Sequence, residues 1–141
     1  MTKTHKLYFY DSGLAAYLLG ILKPDDLNTH FARGNLFENM IVAELHKQQY
    51  HQGLRPHLYY WQESNGKEIY LLWEQGTQLN IAEIKSAATI NSAFFSNLNY
   101  FKKLSQGEIK NTFLIYGGSE TQYRSEATVL AWYDAYQVFP F

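Results

Sequence analysis

The sequence predicts a single α/β domain in which helices pack on a mixed, mainly antiparallel sheet. Apolar residues recur at helical spacing over residues 34–49, and three strand-like runs follow within residues 58–85. A second helical pattern with two more strand-like runs comes after them. Only short gaps separate the first three runs, which favours antiparallel hairpins. A chain of 141 residues is long enough to bury the core of one such domain.

A short helical preface, residues 1–33, is expected first. Asp11 or Ser12 can cap a helix over residues 14–19, because either side chain can accept a hydrogen bond from a free backbone N–H of the first turn. Gly20 would then end that helix, since glycine adopts the left-handed conformation that follows many helices.

The core, residues 34–118, begins with the clearest helix of the chain. Phe37, Ile41 and Leu45 lie along one stripe of residues 34–49, as expected for a helix with one buried face. The other predicted elements are strands at 58–61, 67–73 and 79–85, a helix at 92–104 with Ser92 as its N-cap, a strand at 112–116 and, in a C-terminal segment of residues 119–141, a strand at 128–132.

Composition excludes several classes of function. The net charge of -1 gives no sign of a strongly basic nucleic-acid-binding surface, although a local groove stays possible. The absence of cysteine excludes disulfides, cysteine-based zinc sites and thiol catalysis. No run of 18 apolar residues exists, so we expect a soluble, cytoplasmic protein without a membrane span. An aromatic content of 17%, with twelve tyrosines, indicates either a half-exposed core or a contact surface for a partner or for a second copy of the chain.

Glu83 and Lys85 form the first candidate for chemistry. They lie two residues apart on a predicted strand, so their side chains share one face while Ile84 points to the other. A carboxylate can hold Mg²⁺, and a neighbouring lysine can orient water and offset developing charge in phosphodiester hydrolysis. The alternative is a surface ion pair without catalytic meaning.

Two further acids extend this pattern. Glu68, Tyr70 and Leu72 are expected to share one face of the preceding strand, next to the strand of Glu83. Glu38 lies in the long helix before the sheet. The alternative for Glu38 is an exposed glutamate near a helix N-terminus, where the helix dipole favours a negative charge.

Together these segments resemble the restriction-endonuclease-like fold, known as PD-(D/E)xK, whose core runs helix, three strands, helix, strand. More specifically, the chain resembles a domain of unknown function found C-terminal to certain prokaryotic ATPases of the AAA superfamily. The resemblance covers residues 6–118. It is carried by Lys6-Leu7-Tyr8-Phe9-Tyr10-Asp11-Ser12-Gly13-Leu14, Gly34-Asn35-Leu36-Phe37-Glu38-Asn39, Leu58-Tyr59-Tyr60-Trp61, Glu68-Ile69-Tyr70-Leu71-Leu72 and Ile81-Ala82-Glu83-Ile84-Lys85-Ser86.

Tyr70 is the main departure from the pattern of that family, which has an aspartate at this place. A neutral phenol is a poor Mg²⁺ ligand, so the resemblance implies a degenerate site in which Glu38, Glu68, Glu83 and Lys85 are remnants. The chain also lacks a Gly-x-x-x-x-Gly-Lys-Ser/Thr loop, so it should not bind ATP itself. By the resemblance, a motor domain would lie upstream in a longer parent protein or would have been lost.

The expected function is therefore that of a non-catalytic accessory domain of an AAA-type ATPase, which recognises nucleic acid or a partner. One alternative is an active Mg²⁺-dependent endonuclease in which Glu68 replaces the missing aspartate and, with Glu83, binds the metal. Another is a structural dimerisation module. No cofactor is expected, and Mg²⁺ only if the site is active.

Overall fold

The computed structural model describes residues 6–139 and contains four α-helices and six strands within them. The helices are α1 (Ser12–Leu18), α2 (Pro24–Thr29), α3 (Arg33–His51) and α4 (Ser96–Leu104). The strands are β1 (Tyr59–Gln62), β2 (Glu68–Gln75), β3 (Gln78–Lys85), β4 (Ile109–Tyr116), β5 (Gln122–Tyr123) and β6 (Thr128–Ala131). Two 3-10 helices, Ser92–Phe95 and Trp132–Val138, complete the described elements.

The strands form one six-stranded mixed sheet with the order β1-β2-β3-β4-β6-β5. The first three strands pair antiparallel, as the short gaps predicted. The chain then crosses through α4, so β4 runs parallel to β3, and β6 runs parallel to β4. The structure confirms the predicted α/β class and the predicted mixed, mainly antiparallel sheet with helices.

The sheet separates two apolar cores. On one face, Ile41, Val42 and Leu45 of α3 pack on the sheet, together with Ala82 and Ile84 of β3. On the other face, α4 supplies the apolar side chains that cover the sheet, among them Leu98 and Phe101. Because both faces of the sheet are covered, five consecutive positions of β3, residues 80–84, are buried, including the polar side chains of Asn80 and Glu83.

A bulge in β2 corrects one prediction. Tyr59 pairs with Leu72 and Trp61 pairs with Ile69, so two residues of β2, Tyr70 and Leu71, lie opposite a single residue of β1. Tyr70 and Leu71 therefore both pack on the α3 side, whereas Leu72 packs on the α4 side. The expectation that Tyr70 and Leu72 share one face was wrong, because the extra residue breaks the alternation.

The C-terminal part also differs from the prediction. Two strands were predicted after the second helix, but the two-residue strand β5 adds a third at the edge of the sheet. The tail after β6 forms the 3-10 helix Trp132–Val138 and packs on α3 and the sheet. Ser92 is not the N-cap of its helix. Asn91 is, because its side chain accepts a hydrogen bond from the backbone N–H of Ala93.

Asp11 caps α1 as predicted, since its carboxylate accepts a hydrogen bond from the backbone N–H of Leu14. Gly20, after that helix, has a φ of 78°, the left-handed conformation that favours glycine. Within residues 6–139, no helix has both the length and the apolar character needed to cross a membrane.

Candidate functional site

Residues 6–10 lie along α3 and carry side chains into the site. The amide of Asn39 fixes this segment through two hydrogen bonds to the backbone of Phe9: it accepts from the N–H (2.6 Å) and donates to the carbonyl (2.9 Å). In an extended segment, alternate side chains face one side. Here Lys6, Tyr8 and Tyr10 face α3 and its surroundings, with the Tyr10 hydroxyl 3.0 Å from Nδ1 of His46.

The Lys6 ammonium lies between two of the predicted carboxylates. Its Nζ is 3.2 Å from Oε1 of Glu38 and 3.6 Å from Oε2 of Glu68. Glu38 is only 7% exposed, so it is not the exposed helical glutamate of the alternative interpretation. Its Oε1 also accepts a 2.6 Å hydrogen bond from the Tyr8 hydroxyl. A carboxylate this buried needs such partners, because an unpaired buried charge is costly.

Two tyrosine rings complete the surroundings of the Lys6 ammonium. Nζ lies over the rings of Tyr60 and Tyr70, 4.3 Å from each ring centre. These distances are within the range of an attractive cation–π contact. The Tyr60 hydroxyl donates to Oε2 of Glu68 at 3.2 Å. Two carboxylates and two aromatic faces thus surround one ammonium group, and we call this arrangement the Lys6 cage (Lys6, Glu38, Tyr60, Glu68, Tyr70).

The phenols of the site are neutral near pH 7. Burial raises the pKa of Tyr8 well above its usual value, and its hydrogen bond to Glu38 raises it further. Burial also raises the pKa of Tyr70, with additional contributions from Glu68, Glu38 and Glu83. Burial, together with Glu68, raises the pKa of Tyr60 to about 12. Tyr70 therefore cannot supply the negative charge of an aspartate at this position.

Glu83 and Lys85 form a separate pair. Lys85 Nζ lies 3.0 Å from Oε1 of Glu83, whose side chain is 0% exposed, so the predicted alternative of a surface ion pair does not hold for Glu83. Ala82 and Ile84 pack on the α3 side, so Glu83 between them points toward the α4 side. Among the described residues, neither oxygen of Glu83 has a donor in hydrogen-bond geometry, so the contact with Lys85 is an ion pair rather than a directed hydrogen bond.

Burial raises the pKa of Glu83 from 4.5 to about 7, even though Lys85 and the side chain of Asn97 on α4 act to lower it. Glu83 is thus partly protonated at neutral pH. A carboxylate that binds a metal ion is normally ionised. A proton on the carboxyl group of Glu83 would therefore compete with a metal ion for its oxygens.

Tyr70 connects the two parts of the site. Its ring lies 4.3 Å from Lys6 Nζ and 5.3 Å from Lys85 Nζ. Of the predicted residues, the structure joins Glu38 with Glu68 through Lys6, and Glu83 with Lys85. Across residues 6–139, no three histidine or acidic side chains are grouped so that they could hold a metal ion.

Lys6 and Asn39 received no role from sequence reasoning. Both lie in segments that carry the family resemblance, but a lysine near the start of a chain is usually a solvated charge. The alternation of Lys6, Tyr8 and Tyr10 was a usable signal, because it indicates an extended segment with one polar and aromatic face. The packing of that face on α3 is a tertiary contact, which no local sequence pattern predicts.

Two cavities flank residues 6–10. One, of about 450 Å³, lies toward β1 and β2 and is lined by Lys6, Tyr60 and Tyr70 among others. The second, of about 410 Å³, lies toward α1 and the start of α3, and four of its lining residues are exposed apolar side chains: Leu7, Phe9, Leu19 and Phe31. We call this second cavity the apolar groove.

A family model described as a domain of unknown function (DUF4143) matches residues 33–134, from the start of α3 into the last 3-10 helix. The chain belongs to the DUF4143 family. The DUF4143 match includes Glu38, Glu68, Tyr70, Glu83 and Lys85, whereas Lys6 and the segment that carries it lie before the matched residues. No curated protein and no solved structure matches the chain.

Proposed function

We propose that this DUF4143 domain is a non-catalytic recognition domain that has kept the architecture of a restriction-endonuclease-like nuclease and lost its metal chemistry. In this proposal it serves as an accessory domain to an ATPase of the AAA superfamily and contacts a protein partner. The connection with such ATPases rests on the family resemblance alone.

The order of the central elements supports the nuclease-like ancestry. A long helix, α3, is followed by the antiparallel strands β1, β2 and β3, then by the crossover helix α4 and a strand parallel to β3. This order agrees with the helix, three strands, helix, strand order that the resemblance implies, and it therefore supports the proposed ancestry. The bulge at Tyr70 also fits, because bulges are frequent beside active sites, where they redirect side chains.

The observation that carries the loss of catalysis is the pairing of the carboxylates. Glu38 and Glu68 contact the ammonium of Lys6, and Glu83 contacts that of Lys85. Mg²⁺ requires near-octahedral oxygen coordination at about 2.0–2.1 Å. The single positive charge of Lys6 contacts both Glu38 and Glu68 and offsets one of their two negative charges. The neutral phenol of Tyr70 stands where the resemblance expects a further acid, an aspartate.

The apolar groove supports a protein partner over nucleic acid. Phe31 is 87% exposed and Leu7 is 84% exposed, and both line the same cavity. Clustered exposed apolar side chains are typical of protein contact surfaces, whereas a DNA-binding face is rich in lysine and arginine. The net charge of -1 agrees with this choice.

A plasmid-nicking assay with Mg²⁺ or Mn²⁺ tests the catalytic part. We expect no metal-dependent nicking by the wild type above the level of Lys85→Ala. Cleavage that requires Lys85 would establish the rival, an active endonuclease with Glu68 in place of aspartate. Lys103→Ala is the matched control, because Lys103 lies on α4 away from the carboxylates and its loss should change nothing.

Fluorescence anisotropy with labelled duplex DNA, titrated with salt, tests the recognition part. We expect weak binding at physiological salt. Tight binding that weakens steeply with salt would instead show recognition of nucleic acid through phosphate contacts. Light scattering on the same samples tests self-association. A stable dimer that the exchange Phe31→Ser dissociates would identify a second copy of this chain as the partner.

A further inference from the structure

We propose that the Lys6 cage is a binding site for a primary alkylammonium ion, and that in this chain Lys6 occupies it as an internal ligand. A ligand of the same chemistry, such as a lysine side chain or a free diamine, would bind there when Lys6 is absent. This inference concerns the same pocket as the proposed function but does not depend on which partner the domain recognises.

The four walls of the cage suit an ammonium group. Glu38 and Glu68 provide carboxylate oxygens 3.2 and 3.6 Å from Nζ, and both can accept hydrogen bonds from its three N–H donors. The rings of Tyr60 and Tyr70 lie 4.3 Å from Nζ. Aromatic rings with acidic residues are the surroundings that proteins use to recognise organic ammonium ions.

The walls are held in place without help from Lys6. The Tyr8 hydroxyl donates to Glu38, and the Tyr60 hydroxyl donates to Glu68. Tyr70 lies in the β2 bulge and packs against the core under α3. A cage whose parts are positioned by other contacts should keep its shape when its occupant is removed, and such preorganisation favours binding.

A divalent metal ion suits the cage less well. Two of its four walls are aromatic faces, which offer no oxygen lone pair at metal-binding distance. Mg²⁺ prefers about six oxygen ligands and keeps waters that need space. An ammonium ion, by contrast, gains from the ring faces as well as from the carboxylates.

Residues 6–10 bring Lys6 to the cage, and a cavity beside the cage gives a small ligand access to it. Asn39 holds the backbone of Phe9, and Lys6 reaches into the cage from three residues away. The cavity of about 450 Å³ beside the cage is lined by Lys6, Tyr60 and Tyr70, so a small ligand can approach through it. Removal of the Lys6 side chain would join the cage to this cavity.

Chemical rescue of Lys6→Ala tests the proposal. The exchange removes three carbons and the ammonium nitrogen, which n-propylammonium replaces atom for atom. We expect the Tm of Lys6→Ala to rise by about 2–4 °C at n-propylammonium chloride concentrations a few times above a millimolar Kd, because a ligand that binds only the folded state stabilises it in proportion to the logarithm of its concentration. The wild type should show no such rise, since Lys6 fills the cage.

Four controls separate binding in the cage from general effects of salt, solvent and a lost lysine. Sodium chloride at equal ionic strength and neutral n-propanol should not stabilise Lys6→Ala. Lys47→Ala, which loses an exposed ion pair with Glu44, should not respond to n-propylammonium. The double variant Lys6→Ala/Glu68→Gln should lose most of the response, because one of the two carboxylates is gone.

Two larger probes show which class of alkylammonium ligand the emptied cage prefers. N-acetyl-lysine methylamide represents a lysine of a polypeptide, and 1,4-diaminobutane represents a free diamine. Stabilisation of Lys6→Ala by either supports the cage, and the probe that binds more tightly identifies the preferred class. Equal responses of Lys6→Ala and Lys47→Ala, or stabilisation of Lys6→Ala by Mg²⁺ but not by n-propylammonium, would overturn the proposal.

Should Lys6→Ala fail to fold, the wild type itself provides the test. Protons close to aromatic faces shift upfield in NMR spectra, so the Lys6 ε-CH₂ protons should resonate upfield of those of exposed lysines. The exchange Tyr70→Leu should reduce this shift. An unshifted Lys6 signal in the wild type would show that the cage is empty and would contradict the proposal.

Discussion

The ammonium nitrogen of Lys6 lies 4.3 Å from the centre of the Tyr70 ring. Tyr70 stands where the resemblance expects an aspartate, and an aromatic ring favours a monovalent organic cation where a carboxylate would favour a metal. The same lysine contacts Glu38 and Glu68, so one ammonium group meets both remaining acids on this side of the sheet. A tyrosine at the place where the resemblance expects an aspartate and the presence of Lys6 are thus complementary.

The buried Glu83 should make stability depend on pH. Its folded-state pKa of about 7 is above the ordinary value of 4.5, so the folded state holds a proton that the unfolded state has released. The resulting stabilisation is complete below about pH 4.5 and is lost as pH rises through about 7. Urea unfolding should show that the free energy of unfolding of the wild type falls by on the order of 3 kcal/mol relative to that of Glu83→Gln between pH 4.5 and 8.

Glu44→Gln is the matched control for this pH dependence, because Glu44 is exposed and its ion pair with Lys47 lies on the surface. Its stability should follow that of the wild type across the same range. Parallel curves for wild type and Glu83→Gln would show that Glu83 is ionised in the folded state at all these pH values.

Asn39 should be needed to hold residues 6–10 on α3. Its buried amide makes two hydrogen bonds to the backbone of Phe9, so Asn39→Ala leaves both backbone groups without their partner. Each hydrogen bond contributes about 1 kcal/mol, so urea unfolding should show that Asn39→Ala lowers the free energy of unfolding by about 2 kcal/mol. Asn28→Ala, on the exposed helix α2, should cost under about 0.5 kcal/mol. Equal costs for the two variants would mean that the Phe9 contact contributes nothing.

Gly117 should tolerate no side chain, because its backbone packs directly on the segment after Lys85. Its N–H donates to the carbonyl of Lys85 at 3.0 Å, and an added Cβ would overlap the carbonyl oxygen of Ser86. We expect Gly117→Ala to destabilise the protein by about 1–3 kcal/mol in thermal or urea unfolding.

Gly34→Ala is the matched control for Gly117. Gly34 lies in the first turn of α3, and an added Cβ would have only the Ser86 hydroxyl oxygen nearby, at 3.9 Å. Alanine should leave stability unchanged or raise it by about 0.5–1 kcal/mol, since it favours the helix. A Gly117→Ala variant as stable as Gly34→Ala would show that the segment after β3 can move away freely.

Local patterns were enough to predict the main elements of the fold. The apolar stripe of Phe37, Ile41 and Leu45 predicted α3, and short gaps predicted the antiparallel hairpins, because these signals depend on residues close in sequence. The bulge at Tyr70 was not predicted. It depends on how β1 and β2 align, and no spacing within β2 reveals an extra residue.

The candidate site was predictable only in part. The strand period put Glu83 and Lys85 together, and the structure agrees. The cation between Glu38 and Glu68 was not foreseen, because Lys6 is 32 residues from Glu38 and reaches it only after the N-terminal segment docks on α3. Burial of Glu83 likewise depends on α4, which covers the second face of the sheet.

We propose that the Lys6 ammonium and the Tyr70 ring together exclude a metal ion from this pocket. Calorimetric titration with Mn²⁺ compares the wild type with Lys6→Ala/Tyr70→Asp, and Lys47→Ala/Tyr123→Asp is a surface control of equal charge change. We expect no saturable Mn²⁺ binding by the wild type or the control, and at least tenfold tighter binding by Lys6→Ala/Tyr70→Asp. Saturable binding by the wild type with a Kd below about 1 mM, weakened by Glu68→Gln, would contradict it.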